Sequence, residues 1–159
     1  MKKILFACII TCSTFLFSCE PRIEMDMSQW GDHAYIDNVE IIKLETDDEV
    51  KLQEYYQNET PLAVTGVRNI TISNGTATID SANFVATVKL KSGEDLKYAG
   101  FRIHHKGTLV EPINGTPKAG IVTDLSAKEF TYRISSADGS KHDWKIAVSY
   151  THLTLPTIA

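Results

Sequence analysis

Residues 129–148 read EFTYRISSADGSKHDWKIAV, and apolar residues alternate with polar ones on both sides of a central turn sequence. A period of two places alternate side chains on the same face of a strand. The two halves therefore predict a β-hairpin, with a loop of about five residues. The residues expected to face the core from this hairpin are Phe130, Tyr132, Ile134, Trp144, Ile146 and Val148.

The same alternation occurs upstream, in YIDNVEIIKLE (35–45), FVATVKL (84–90) and YAGFRIHH (98–105). Residues typical of turns separate these runs at regular spacing. About seven short strands spaced in this way predict an all-β fold, an antiparallel Ig-like β-sandwich. The residues expected to face its core by alternation are Val39, Ile41, Phe84, Ala86, Val88, Leu90, Phe101 and Ile103. Leu44 is expected to join them if a local irregularity at Ile42 shifts the alternation.

The pair Asn74-Gly75 lies inside NITISNGTATID (69–80), between two further alternating runs. This dipeptide is the favoured one for a type I′ turn, in which both residues have positive φ. The sequence thus predicts a tight hairpin here. Its predicted register pairs Ser73 with Thr76, Ile72 with Ala77, and Ile70 with Ile79.

The segment TDDEVKLQEYYQNET (46–60) is the ambiguous part of the body. Its apolar residues, Val50, Leu52, Tyr55 and Tyr56, fit a short helix and an excursion between strands equally well. Both interpretations stay open at this point.

Charge and cysteine content exclude several classes of function. The formal charge is -4, and without Lys2 and Lys3 there are 14 basic residues against 20 acidic ones. Such a balance argues against nucleic acid as a partner, because it offers no basic footprint. All three cysteines, Cys8, Cys12 and Cys19, precede residue 20, so disulfides, thiolate metal sites and thiol catalysis are excluded from the body.

The first nineteen residues, MKKILFACIITCSTFLFSC, combine a basic start with an apolar run of about 14 residues, too short for a bilayer core. They predict a signal peptide over residues 1–18. The ending, Leu16-Phe17-Ser18-Cys19, resembles a bacterial lipobox. This resemblance implies cleavage before Cys19, lipidation of its thiol and new amino group, and a membrane anchor. Residues 19–33, polar and acidic, then read as a flexible tether to a domain at 34–148.

Two stretches, ATVKLKSGEDLKYAGFRI (86–103) and DLSAKEFTYRISSADGSKHDWKIAV (124–148), carry a family resemblance. They resemble the strand-and-turn plan of Ig-like modules in Bacteroidetes surface lipoproteins, including modules that stand N-terminal to a carbohydrate metabolism domain. The resemblance implies an outer-membrane lipoprotein, either surface-exposed or facing the periplasm. It covers roughly residues 64–148, and it concerns turns and core positions, which specify architecture and hardly any activity.

The tail SYTHLTLPTIA (149–159) interrupts the pattern of the body. Residues 149–157 resemble a sequencing-library adapter translated in one frame, which predicts a non-native end and a gene that continues beyond it. The alternative is a natural final strand, because Tyr150 continues the alternation of the residues before it.

Histidine and acidic residues in the body do not form a recognisable active site. His104 and His105 are adjacent in a predicted strand and point to opposite faces, so they cannot chelate one ion. Both this pair and His142-Asp143, at the closing hairpin, are interpreted as ordinary surface or boundary residues, and Asp32-His33 is the third cluster of histidine and acidic residues. We therefore expect no catalytic residues, no metal site and no cofactor.

Aromatic residues outside the regular strands are the candidates for contact with a glycan, because rings stack on the apolar faces of sugars. These are Trp30, Tyr35, Tyr55 and Tyr56, whereas loop packing is the alternative for each. Asp80-Ser81-Ala82 resembles the O-glycosylation pattern of Bacteroidetes, which would make Ser81 the modified residue.

Three functions remain open on this evidence. The first is a lipid-anchored, non-catalytic envelope module that spaces or presents a surface for a glycan or a partner protein. The second is the N-terminal part of a larger lipoprotein whose C-terminal domain binds or processes carbohydrate. The third is a fimbrial or assembly component, in which an edge strand accepts a donor strand.

Overall fold

The structure is a computed structural model that describes residues 26–127 and 129–151. In these ranges it contains nine strands, one α-helix and a short 3-10 turn at Ser28–Trp30. The strands are β1 (Ile36–Glu45), β2 (Arg68–Thr71), β3 (Thr78–Asp80), β4 (Val85–Lys91), β5 (Lys97–His105), β6 (Leu109–Ile113), β7 (Thr123–Asp124), β8 (Glu129–Ser135) and β9 (Lys141–Thr151), and the helix is α1 (Glu49–Gln57).

The strands form two sheets, with orders β2-β1-β5-β7 and β3-β4-β9-β8-β6. This arrangement confirms the predicted all-β sandwich, with two more strands than the predicted number of about seven. One departure from a purely antiparallel fold is the β4–β9 pair, which is parallel. It arises because β9, antiparallel to β8 through their hairpin, is inserted beside β4 and runs in the same direction.

The main core lies between the two sheets and confirms the predicted inward faces of most strands. Trp144 and Tyr132 are its two largest fully buried side chains. The closing hairpin forms as predicted, with Ser135 opposite Lys141 at the ends of its loop. Phe84 and Ile103 are partly buried against this core. The predicted residues that are buried in it are Val39, Ile41, Ala86, Val88, Leu90, Phe101, Phe130, Tyr132, Ile134, Trp144, Ile146 and Val148.

A second, smaller core covers the outer face of the first sheet, under helix α1. The ambiguous segment is therefore helical, and its N-cap is Asp48, whose carboxylate accepts a hydrogen bond from the Lys51 backbone N–H. The prediction that Leu44 faces the main core is wrong, because Leu44 packs under the helix instead. Strand β1 is thus buried on both faces. The members of this second core are Ile42, Leu44, Leu52, Leu62, Tyr98 and Val122.

The hairpin predicted at Asn74-Gly75 is wrong. Strand β2 pairs with β1 and strand β3 pairs with β4, so the segment between them crosses from one sheet to the other. Gly75 has the predicted positive φ of 74°, whereas Asn74 is not among the residues with positive φ. An isolated pair of such short strands is marginal, and each gains more by extending the edge of a larger sheet.

The pattern of a type I′ turn occurs instead at Asn114-Gly115. Both residues have positive φ, 55° and 74°. The Thr116 N–H donates to the Ile113 carbonyl oxygen at 3.0 Å, which closes the turn. The preference of Asn-Gly for a type I′ turn is thus met at one of its two occurrences in the body. The pairing of the surrounding strands decides at which of them the turn closes.

The sandwich has two poles. We call N-terminal pole the end at which β1, β4 and β9 begin, and C-terminal pole the opposite end, near Glu45 and Lys91. Strand β9 has 11 residues and pairs with β4 up to Lys91, opposite Thr151. At about 3.3 Å a residue, β9 spans roughly 33 Å from one pole to the other.

Some of the predicted boundaries lie outside the described residues. These include the signal peptide over residues 1–18, the lipidated Cys19 and residues 152–159 of the tail, and all three stay predictions. Residues 149–151 are described, and they continue β9 beside β4. No helix in the described ranges has the length and apolar character that would let it cross a membrane.

Candidate functional site

At the N-terminal pole, polar and aromatic side chains form a cluster that is connected by hydrogen bonds and ring contacts. Its centre is the pair Asp32–His142, in which the imidazole Nε2 lies 2.5 Å from the carboxylate Oδ2. Both side chains are partly buried, with exposed fractions of 23% for His142 and 32% for Asp32. The pair joins residues 110 positions apart in the chain. It therefore connects the segment before β1 to the start of the last strand.

Backbone groups around Asp32 are held by the same part of the body. The Ser136 hydroxyl donates to the Gly31 carbonyl oxygen at 3.2 Å and accepts from the His33 backbone N–H at 3.0 Å. The Trp144 indole Nε1 donates to the Ala34 carbonyl oxygen at 2.9 Å. We call residues 31–35 the leading segment. Its contacts with the sandwich begin three residues before the predicted domain start at residue 34.

Aromatic rings enclose the imidazole of His142. Phe84 stacks on it with ring centroids 4.2 Å apart and an interplanar angle of 15°. Tyr35 is tilted against it at 5.5 Å, and Trp144 meets Phe84 and Tyr35 edge to face. This packing restricts the rotation of the His142 side chain. Its Nε2 is thereby held in a position that faces the Asp32 carboxylate.

Phe84 has a backbone conformation that is uncommon for a bulky residue. Its φ is +54°, in the left-handed region. The Phe84 carbonyl oxygen accepts a hydrogen bond of 2.9 Å from the Lys145 N–H, which holds the start of β4 against β9. Such conformations persist where the surroundings over-determine them. Here the stacked ring and the backbone hydrogen bond do so.

The electrostatics of the cluster favour a charged carboxylate. The hydrogen bond from His142 lowers the pKa of Asp32 below its ordinary value, and the hydrogen bond from the Ala34 backbone N–H adds to this effect. In the adjacent loop, the hydrogen bond from the Ser140 backbone N–H lowers the pKa of Asp138. Both acids are therefore ionised at neutral pH, and Asp32 accepts hydrogen bonds from two directions.

The contacts that this cluster makes among the described residues are hydrogen bonds and ring packing. The Ser136 hydroxyl is engaged with two backbone groups, and within the described part of the chain no hydroxyl or thiol is hydrogen-bonded to His142. Among the described residues no group of three or more His, Cys, Asp or Glu side chains is arranged to hold a metal ion. A nucleophile beside a base, the arrangement needed for covalent catalysis, is not formed here.

The two adjacent histidines in β5 take opposite faces, as their spacing predicts. His104 is exposed, and its Nε2 lies 3.5 Å from a carboxylate oxygen of Glu40. His105 is partly buried, and its Nδ1 has no hydrogen-bond partner among the residues that the structure describes. Asp143 is exposed and accepts two hydrogen bonds from Arg133, at 2.7 Å and 2.9 Å. Asp32 and His142 belong to separate clusters in the sequence, and their contact with each other was not predicted.

The aromatic candidates for glycan contact are not brought together. Trp30 is 58% exposed on the 3-10 turn, and Tyr56 is 40% exposed on helix α1, where its ring lies 6.3 Å from that of Tyr98. Tyr35 belongs to the cluster at the N-terminal pole, and Tyr55 packs against the second core. Glycan contact by any of the four stays a prediction.

Ser81 lies in an exposed turn between β3 and β4. The Asp80 carboxylate accepts hydrogen bonds from the backbone N–H groups of Ala82 and Asn83, which fixes this turn. The hydroxyl of Ser81 is therefore accessible, but its modification is not tested by these contacts.

Comparison with known proteins places the chain in a family. A family model with the description DUF5018-related matches residues 32–147. The chain belongs to the DUF5018-related family. No curated protein matches this member of the family.

A solved structure shares the fold of this DUF5018-related chain. It is the crystal structure of a protein from Bacteroides fragilis with the name "putative secreted protein". The two chains are 22% identical, and the alignment has a TM-score of 0.53 and covers 76% of this chain and 97% of the Bacteroides chain. At this level of identity the match concerns the fold alone, and it agrees with the all-β sandwich described above.

Proposed function

We propose that this DUF5018-related protein is a lipid-anchored, non-catalytic module of the cell envelope. Its role is to hold a surface that binds a glycan or a partner protein at a fixed distance from the membrane. The anchor is the lipidated Cys19, and the outer membrane is the site of attachment. The family and the fold fit a surface protein of the Bacteroidetes type, and the name of the Bacteroides fragilis relative is compatible with a place outside the cytoplasm.

The observation that carries this proposal is the position of the two ends of the domain. The leading segment joins the body at the N-terminal pole, beside His142, whereas β9 reaches the C-terminal pole at Thr151. A chain tethered through Cys19 is thus attached at one pole, and the opposite pole lies roughly 33 Å away along β9. A spacer domain needs its entering and leaving chain at opposite poles, because the whole length of the domain then separates the membrane from what lies at the far pole.

The surface offered for binding is proposed to include helix α1. A shallow concavity of about 580 Å³ beside the helix is lined by Glu49, Gln53, Gln57, Lys97 and Tyr98, among others. Carboxylate, amide and ammonium groups of this kind form hydrogen bonds with hydroxyl-rich ligands. The exposed ring of Tyr56 is not part of the lining of this concavity, but it contacts Tyr98, which is, and would add an apolar surface for a sugar face.

A second candidate function is supported by the same geometry. If the intact gene continues beyond residue 148, the C-terminal pole is where a following domain would be attached, separated from the anchor by the sandwich. The chain would then be the N-terminal part of a larger lipoprotein with a carbohydrate-binding or carbohydrate-processing domain. Sequencing the intact gene with long reads decides between the two, since several hundred further codons support the second and an early stop supports the first.

The anchor is tested by metabolic labelling with a fatty acid. Wild-type protein should incorporate the label, and Cys19→Ala should not. Cys12→Ala is the matched control, because Cys12 lies in the same leader and should leave the label in place. Incorporation into Cys19→Ala, or loss of label in both variants, contradicts the proposal.

The binding surface is tested with an immobilised panel of bacterial, plant and mucin glycans. Tyr56→Ala should reduce any glycan signal, while Tyr150→Ala, an exposed tyrosine on β9, should retain it. A signal that both variants retain excludes the helix surface. If wild-type protein gives no signal on any glycan of the panel, a partner protein is the proposed target of the module.

A further inference from the structure

We propose that Asp32, Ser136 and His142 are positioning residues that dock the leading segment (residues 31–35) on the sandwich. The docked segment fixes the place and direction in which the chain enters the sandwich. The functional meaning of this docking rests on the function proposed above, because a spacer with a free joint at its base would not hold its far pole at a defined place. The docking itself is a property of the described residues alone.

The leading segment is held at three backbone groups by two side chains of the sandwich. Ser136, in the loop between β8 and β9, binds the backbone at Gly31 and at His33. Trp144, on β9, binds the Ala34 carbonyl oxygen. A solvated linker would leave these groups to water. Instead, they are bonded to Ser136 and Trp144, which lie more than 100 positions away in the chain and are both buried.

The Asp32–His142 pair adds a charged contact beside these neutral ones. Asp32 also accepts from the Ala34 backbone N–H at 2.9 Å, which bends the segment back on itself before β1 begins. Hydrogen bonds to charged groups are stronger than neutral ones, particularly where water is partly excluded. Removing Asp32 therefore breaks both the contact with β9 and the local turn of the segment, whereas removing His142 breaks the contact with β9.

The partner surface is formed before the segment docks. His142 is stacked against Phe84, which lies outside the leading segment, and Phe84 is fixed by its carbonyl contact with Lys145. A preorganised partner loses little side-chain freedom when it binds, so more of the hydrogen-bond energy remains for docking. Phe84 combines this stacked ring with a positive φ, a conformation that persists where the surroundings over-determine it.

A neighbouring ion pair provides a matched control. Arg133 and Asp143 form a two-point contact between β8 and β9, immediately beside His142 in sequence. Both side chains are more exposed, and their contact joins the two strands of one hairpin. Loss of this ion pair should disturb the hairpin surface without releasing the leading segment.

The test is hydrogen–deuterium exchange of the purified full chain in detergent, read by mass spectrometry. Asp32→Ala and His142→Phe should each speed exchange in peptides that cover residues 29–36 by about tenfold or more. His142→Phe keeps an aromatic ring against Phe84, so the strands of the body should keep their protection. Arg133→Gln should leave residues 29–36 at the wild-type rate.

Two results would overturn the proposal. One is unchanged exchange over residues 29–36 in both Asp32→Ala and His142→Phe. The other is an equal acceleration over the whole body, which would show that the pair supports general stability and does not position the segment. Fatty-acid labelling is independent of this measurement, so a failure of the lipid anchor would be recognised separately from a failure of docking.

Discussion

The indole Nε1 of Trp144 donates a hydrogen bond of 2.9 Å to the carbonyl oxygen of Ala34, a residue 110 positions earlier in the chain. Both residues are fully buried. The contact closes the main core at the N-terminal pole and joins the residue before β1 to the last strand. Trp144 thus combines the largest buried side chain with a polar group that has its partner inside the core.

We predict that Trp144→Ala lowers the free energy of unfolding by about 3–5 kcal/mol, the usual range for truncating a large buried aromatic residue. The cavity and the unpaired Ala34 carbonyl both contribute to this loss. Chemical denaturation of wild type and variant measures it. Tyr150→Ala, on the same strand but 39% exposed, is the control and should cost about 1 kcal/mol or less. Similar losses in the two variants would mean that Trp144 is not the core residue described here.

Gly100, on β5, is predicted to tolerate no side chain. A Cβ atom at this position would overlap the carbonyl oxygen of Ile121 and would lie 3.1 Å from both methyl carbons of Leu62. A backbone oxygen cannot move aside as a side chain can, so Gly100→Ala should destabilise by about 2 kcal/mol or more. Thermal unfolding measures this effect. Gly75→Ala, with open space around the Cβ position, should cost less, and an equal cost would contradict the close approach of Ile121.

Gly75 is predicted to be needed for its backbone conformation and not for space. Its φ is +74°, and nothing lies within 4 Å of a Cβ atom built there. Gly75→Val should therefore cost about 1–3 kcal/mol, because β-branched residues resist positive φ. Gly75→Asn should be nearly neutral, since asparagine adopts this region readily. Equal melting temperatures for the two variants would show that the segment between the sheets relaxes to another conformation.

Acid should weaken the fold partly through Asp32. Its pKa in the folded chain is lowered from the ordinary value of 3.8 by the hydrogen bond from His142. A lowered folded pKa means that the stabilising contribution is present above the unfolded value and is lost as the pH falls through the folded value, below 3.8. Asp32→Asn should therefore lose less stability than wild type between neutral pH and pH 3.

The pH profile is measured by denaturation at a series of pH values. Asp47→Asn, an exposed residue before helix α1, is the control and should follow the wild-type slope. Asp138 and Asp143, whose pKa values are also lowered by hydrogen bonds, remain in both variants and give each a residual acid dependence. A wild-type slope for Asp32→Asn would show that its carboxylate does not gain from the contact with His142.

The sequence alone determined the sandwich and most of its core. A period of two is a local property, and the burial of Phe130, Tyr132 and Ile134 follows directly from it. The closing hairpin was also predictable, because its strands are joined by a short loop and are neighbours for that reason alone. The family resemblance indicated the same architecture, since the features it rests on are turns and core positions.

Only the tertiary structure decided how the strands outside the closing hairpin pair with one another. Asn74-Gly75 has the local preference for a hairpin, yet β2 and β3 gain more by extending two different sheets. The burial of Leu44 under helix α1 is of the same kind, because alternation predicts which residues share a face but not that both faces of β1 are covered.

The Asp32–His142 pair shows the same limit at the candidate site. In the sequence Asp32 is followed by His33, and His142 is followed by Asp143. This local pattern suggests two separate clusters and does not predict a contact between them. Their actual contact spans 110 residues and depends on β1 and β9 beginning at the same pole. Local preference determines the faces and turns of this protein, whereas the pairing of sheets, which maximises shared burial, determines which distant side chains meet.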